Sequence, residues 1–245
     1  MKRIVGVALI AVCAGFGADL KTGDAVLDHY LEATGGAAAY GKIHSMVMKG
    51  MMSMAAAGIK GAITMYAAEP NKVGMVTDLA GVGKIMEGSD GVSAWSFSSI
   101  QGPQIKKGDE LNDSIREALF HKETDWRTVY ASATLSGSED VDGKPTYKVL
   151  MTPKTGKPET NYYEKASGLM VRHQSVRITP MGEIPVDVSI GGYRKDCGVK
   201  LPHSVTQTVA GQKVQLDIDT IECNTELPAE AFMPPPEVKA LMNKK

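Results

Sequence analysis

The chain reads as a mainly β (α+β) protein, a single curved antiparallel sheet of about 10–11 strands bent into a half-barrel and closed by two or three short helices. Three observations carry this. The apolar period changes from 3.6 to 2 near residue 44 and, with one interruption, stays at 2 until about residue 219. The connections between alternating runs are short, so they are hairpins, since parallel crossovers need about a dozen residues or more. Each run has one apolar face, and a few short helices can cover so many strands only if the sheet curls around them. With 43% hydrophobic and 22% charged residues among 245, the chain can bury such a core. No low-complexity linker or internal repeat divides it, so residues 19–245 are expected to form one domain.

Taken in order, Thr22-Gly23-Asp24 opens an amphipathic helix with Val26, Leu27, Tyr30 and Leu31 on one face, and Gly35-Gly36 closes it. A shorter helical turn, Ala37 to Ile43, follows. His44 to Met54 alternates with Met46, Met48, Met52 and Met54 on one face, and beyond an Ala/Gly turn Ile59, Ile63 and Met65 continue the habit. Glu69-Pro70-Asn71 turns the chain, Val73, Met75 and Leu79 alternate, Gly81 to Gly83 turns it again, and Ser89-Asp90-Gly91 precedes a strand from Val92 to Phe97. Gly108 to Phe120 is the interruption: Leu111, Ile115, Ala118 and Leu119 recur at helical spacing. Strands resume at Ala131 to Asp140, turn at Asp142-Gly143-Lys144, and continue through Tyr147 to Met151, Asn161 to Glu164 and Leu169 to Ile178. Val186, Val188 and Ile190 alternate, as do Val214, Leu216 and Ile218. The tail, Leu227 to Phe232 with three prolines and a short helix from Glu237 to Met242, reads as a capping segment.

The N-terminus carries an address. Met1-Lys2-Arg3 and the apolar run Ile4 to Gly17 fit a secretory signal, residues 1–18, cleaved between 14 and 18 at the small residues Ala14, Gly17 and Ala18. The alternative, a buried helix over 4–17, is disfavoured by the polar turn at Asp19 and Lys21. Lipid anchoring at Cys13 is also disfavoured, because Val12 is a poor fit to the small residue that such sites need. Export removes Lys2 and Arg3, leaving 25 positive against 28 negative groups, and leaves two cysteines, Cys197 and Cys223. An oxidising compartment invites a disulfide between them. The turn at Val209 to Lys213 makes cross-strand partners sum to about 421–423, which sets residue 223 opposite about 198–200, next to Cys197. Two buried free thiols are the alternative.

Charge and motifs narrow the function. Lys+Arg is 27 against Asp+Glu 28 with no basic run, which speaks against nucleic acid. No stretch beyond residue 18 approaches the roughly 20 apolar residues of a membrane span. There is no nucleophile elbow, zinc-protease helix, phosphate loop or Cys-x-x-Cys pair, so neither catalysis, cofactor nor metal is expected. The five histidines, His29, His44, His121, His173 and His203, stand singly and read as structural or surface residues. Methionine is informative: eight of 14 lie between residues 46 and 86, mostly on the same alternating faces. They are core filler, the lining of a cavity that adapts to apolar ligands, or, less favoured, a soft-sulfur Cu(I) site. The cavity reading takes Met46, Met48, Met52, Met54, Ile63, Met65, Met75, Val214, Leu216 and Ile218 as lining and Leu111, Ile115 and Leu119 as lid. Trp95 belongs to the wall or anchors the sheet.

Five motifs in order add a resemblance. Tyr30-x-x-Ala33-x-Gly35-Gly36, Glu69-Pro70-Asn71-Lys72, Asp90-Gly91-x-x-Ala94-Trp95, Gly198-Val199-x-Leu201-Pro202 and Leu227-Pro228-x-x-x-Phe232-x-Pro234 look like those of exported outer-membrane lipoprotein-sorting proteins, the LolA/LolB superfamily, over about residues 24–236. The resemblance implies an eleven-stranded half-barrel with a helical lid that holds acyl chains or another lipid in the periplasm and has no enzyme activity. The expected function is a periplasmic carrier or binding protein for lipid, acyl chains or lipoproteins, monomeric, with a transient membrane or envelope protein partner. The rival is a sensor or interaction module that uses the same cavity.

Overall fold

The computed structural model describes residues 19–179 and 182–243; the expected signal segment, with Cys13, lies outside them. Thr22 starts the first helix, α1 (Gly23–Thr34), by accepting the Ala25 N–H on its hydroxyl at 3.1 Å. Past Gly35 the Gly36 N–H returns to the Leu31 carbonyl at 2.8 Å and ends it. A single turn, α2 (Ala37–Tyr40), leads into six strands: β1 (Ser45–Met54), β2 (Ile59–Ala68), β3 (Lys72–Leu79), β4 (Gly83–Ser89), β5 (Ala94–Ser98) and β6 (Gly102–Ile105). Then come α3 (Gly108–Glu117), α4 (Lys122–Asp125) and a 3-10 turn at Trp126–Thr128. The second run is β7 (Tyr130–Val141), β8 (Lys144–Pro153), β9 (Glu159–Glu164), β10 (Met170–Thr179) and β11 (Gly182–Gly191). The chain ends with β12 (Arg194–Asp196), β13 (Val199–Leu201), β14 (Ser204–Val209), β15 (Gln212–Cys223) and α5 (Pro236–Met242).

Thirteen strands form one curved antiparallel sheet, in the order β6-β5-β4-β3-β2-β1-β15-β14-β11-β10-β9-β8-β7, which is not closed; β12 and β13 pair separately. The expected count was 10–11. One strand it omitted is β6, four residues long and carrying Pro103, which lacks an N–H and is tolerated because β6 is an edge. The helix expected over 108–120 ends at Glu117, and the chain turns before α4. Sharp bending has a sequence cause at two glycines. A Cβ on Gly61 would lie 1.9 Å from the Asp78 carbonyl oxygen, and one on Gly50, at a register shift between β1 and β15, 2.0 Å from that of Asp217. Only a residue without a side chain lets neighbouring strands fold so closely.

The register puts the ten predicted lining residues on one face, since directly paired residues share a face. Met48 pairs with Met65 and Met65 with Met75; Gly50 pairs with Ile63 and Ile218; Met52 pairs with Leu216. The row continues from Leu216 to Val205 and from Val205 to Ile190. On the helix side of the sheet, one core gathers Val26, Leu27, Trp126, Tyr130, Tyr147, Val149, Met151 and Tyr163, and a second gathers Tyr40, Ile43 and Val199 with Met46 and Phe120 packed against it. α3 touches both β5 and β10, so it spans the open side between the two arms of the sheet. At the rim the Phe120 N–H donates to the Pro70 carbonyl at 3.1 Å, and Glu69 takes both His44, at 2.8 Å, and His121. The tail caps the first arm, with α5 against β5 and β6 and Val238 wholly buried. Cys197 and Cys223 form a disulfide with Cα atoms 6.1 Å apart. The observed partners Ser204–Asp217 and Val209–Gln212 both sum to 421, as the hairpin arithmetic required.

Candidate functional site: a cavity beneath the helical roof

A cavity of about 280 Å³ lies between α1, the α3–α4 segment and the strands of the second arm. It sits near the lower end of the roughly 300–1,000 Å³ common for small-molecule sites. α1 contributes Leu27 and Tyr30; the roof contributes Glu117, Lys122, Glu123 and Trp126. From the sheet come Tyr130 of β7, Met151 of β8, Glu159, Asn161 and Tyr163 of β9, Met170 and His173 of β10, and Val188 and Ile190 of β11. Alternation explains the sheet's share: Glu159, Asn161 and Tyr163 are two apart, and the pairs Asn161–His173 and His173–Val188 stand side by side across strands.

The polar groups in this wall are mostly paired with one another. Arg116, 8% exposed, donates to Asp113 at 2.8 Å and to the Thr155 carbonyl at 3.2 Å and lies 3.8 Å from Glu159, itself 3% exposed. Burial opposes the guanidinium's charge, but Glu159, Tyr130 and Asp113 together hold its pKa above the ordinary value. The Tyr130 hydroxyl donates to Glu159, and burial, with that carboxylate, pushes its phenol far up. His173 Nδ1 meets Asn161 Oδ1 at 2.7 Å, and Asn161 Nδ2 donates to the Tyr163 hydroxyl at 3.2 Å; with Asn161 oriented so, the network assigns the ring proton to Nδ1. Burial lowers the His173 pKa, which favours the neutral ring. The half-exposed pair Lys122–Glu117 closes at 3.0 Å; its attraction takes Glu117 down to about 2 and Lys122 up to about 12. Glu123 alone is shifted the other way, upward, by burial.

None of the ten residues expected to line a cavity borders this one. They share its face of the sheet, but they stand on β1, β2, β3 and β15, where Ile63 and Ile218 are buried and the other eight are partly exposed. The predicted lid helix supplies only Glu117 to the wall: Leu111, Ile115 and Leu119 are not among the bordering residues, and Lys122, Glu123 and Trp126 come from the turns that follow it. Trp95 is 2% exposed, pairs with Gly88 across β4 and β5, and does not border the cavity, so it anchors the sheet. His173, expected from sequence to be a structural or surface residue, is part of the wall. The signal that would have found the site is the second arm's own alternation, Val149–Met151 and Asn161–Tyr163, which the density of methionines in the first arm outweighed.

No protein-family model matches the chain, and no curated protein matches it in sequence. Solved structures do match in fold. A DUF1329 family protein from Desulfovibrio piger superposes with a TM-score of 0.59 at 16% identity, covering 87% of this chain and 98% of that one. A LolA superfamily protein from Nitrosomonas europaea gives 0.57 at 13% identity, covering 88% and 99%. A domain named for outer membrane lipoprotein sorting, from Vibrio parahaemolyticus, gives 0.52 at 12% identity, covering 86% and 96%. The chain thus shares its fold with these structures, a LolA superfamily protein among them, over nearly the whole of each.

Proposed function

We propose that this protein is a periplasmic carrier or binding protein for lipid or acyl chains, including those of lipoproteins, held in the cavity under the α3–α4 roof. The observation that carries the reading is the continuity of that cavity with a partly exposed apolar row. Ile190 borders the cavity, and Val205, Leu216 and Met52 follow it across neighbouring strands. A tail too long for about 280 Å³ would extend along this row toward Met48, Met65 and Met75. Each buried methylene is worth about 0.8 kcal/mol, so ten give about 8 kcal/mol, enough for micromolar affinity without polar recognition. The Cys197–Cys223 disulfide suits an oxidising compartment. Among the described residues no helix is long and apolar enough to cross a membrane, in keeping with a carrier that shuttles.

Native mass spectrometry of the purified protein tests this. A co-purifying lipid mass is expected, and Val188→Trp, which fills the cavity, should remove it with the fold intact by circular dichroism. A protein that carries no lipid and takes up no fluorescent fatty acid would refute the reading. Transfer of the load to acceptor vesicles separates a carrier from a sensor, which would hold its ligand.

A further inference from the structure

The cavity's chemistry says more than that it is apolar. Glu123 borders the cavity from the roof, and among the described residues its carboxylate has no cation at ion-pair distance: the adjacent Lys122 ammonium lies against Glu117 at 3.0 Å, and it and His121 attract Glu123 only from farther away. Four phenols lie within electrostatic reach of it: Tyr30 of α1, Tyr40 of α2, Tyr163 of β9, and Tyr193 between β11 and β12. The Tyr30 and Tyr163 rings are 5.3 Å apart and tilted at 57°, and Trp126 borders the same space. Of the other two carboxylates on the wall, Glu117 has Lys122 and Glu159 has Arg116 and Tyr130. The wall therefore has one carboxylate without a cation at ion-pair distance, in a cavity also bordered by the Tyr30 and Tyr163 rings, whose quadrupoles favour a cation. Burial raises the pKa of that carboxylate against the pull of Lys122 and His121, a cost that a positive group seated beside it would offset.

We propose that the cavity selects amphiphiles whose head is an ammonium group, seated against Glu123 beside Tyr30, Tyr163 and Trp126. This rests on the reading of the cavity as an amphiphile chamber and names the head that it accepts. An anionic head would meet the unpaired carboxylate, and the nearby cations Lys122 and Arg116 are already engaged.

The test uses the whole protein and three twelve-carbon probes below their micelle concentrations: dodecyltrimethylammonium, dodecyl maltoside and dodecyl sulfate, followed by calorimetry and Trp126 fluorescence. The ammonium is expected to bind about tenfold tighter than the maltoside, and the sulfate more weakly than either. Glu123→Gln should abolish the preference, bringing the affinity for the ammonium down to that for the maltoside. Because the quaternary head does not titrate, its advantage should grow as pH rises through the Glu123 titration. The same groups face Glu123 throughout: Lys122 and His121 on its own segment and the four tyrosines from α1, α2, β9 and the β11–β12 connection. A pH dependence that survives Glu123→Gln would belong to a histidine and would overturn the assignment. If Glu123→Gln fails to fold, tetramethylammonium must still compete with dodecyltrimethylammonium for the wild type in calorimetry, and failure to do so overturns the proposal. Lysophosphatidylcholine against lysophosphatidylglycerol distinguishes a phospholipid head from a simple alkylammonium. Equal binding of the three probes sinks the ammonium preference and leaves the chamber standing, whereas binding of none sinks both.

Discussion

Replacing Arg116 by methionine should be among the most destabilising single changes available outside the apolar core. The guanidinium is 8% exposed and lies 3.8 Å from a Glu159 carboxylate that is 3% exposed, so its removal strands a buried charge. Breaking such a pair by deleting one partner costs about 3–5 kcal/mol. It also frees Asp113 and the Thr155 carbonyl, and so unties the roof from the β8–β9 connection. Urea denaturation measures this: with a slope near 3 kcal/mol/M, the midpoint should fall by about 1–1.7 M. The double variant Arg116→Met/Glu159→Gln removes the stranded charge and should recover at least half the loss. A single-variant effect below about 1 kcal/mol, or a double variant whose losses simply add, would refute the claim that the pair acts as a buried unit.

Gly61→Ala should cost about 1–3 kcal/mol or more, since its Cβ would lie 1.9 Å from backbone; an unchanged thermal midpoint would refute the close approach. Cys223→Ser should cost about 3–4 kcal/mol on chain-entropy grounds, given the separation of 26 residues, and wild type under reducing conditions should match it in chemical denaturation. Glu117 has a folded pKa of about 2 against an ordinary 4.5, so its contribution is full above pH 4.5 and is lost as pH falls toward 2. Glu117→Gln should remove that part of the acid dependence, and an identical pH–stability curve for the variant would contradict the pairing with Lys122. Leu111→Ala, on the roof but away from the cavity wall, should reduce stability without shifting lipid uptake; a selective loss of uptake would show that the wall extends to Leu111.

What was legible from the chain alone is local in origin. Side-chain alternation follows from the two-residue repeat of an extended backbone, so Met46, Met48, Met52 and Met54 could be placed on one face before any pairing was known, and the register agrees. The hairpin at Ala210-Gly211 counts residues outward from a turn, and that count was enough to bring Cys223 to Cys197. Short helices among many one-sided strands implied a curled sheet with a roof, because the apolar faces had nowhere else to go. The place where the interior stays hollow is not of this kind. It depends on where α3 and α4 dock, and docking is decided by contacts between residues far apart in sequence, such as Arg116 with Glu159, Phe120 with Pro70, and His121 with Glu69. Those contacts seat the roof over β7–β11 and leave the methionine-rich strands beside the cavity. No periodicity records such a choice, because it compares the free energies of alternative packings, each of which satisfies the same alternating pattern equally well.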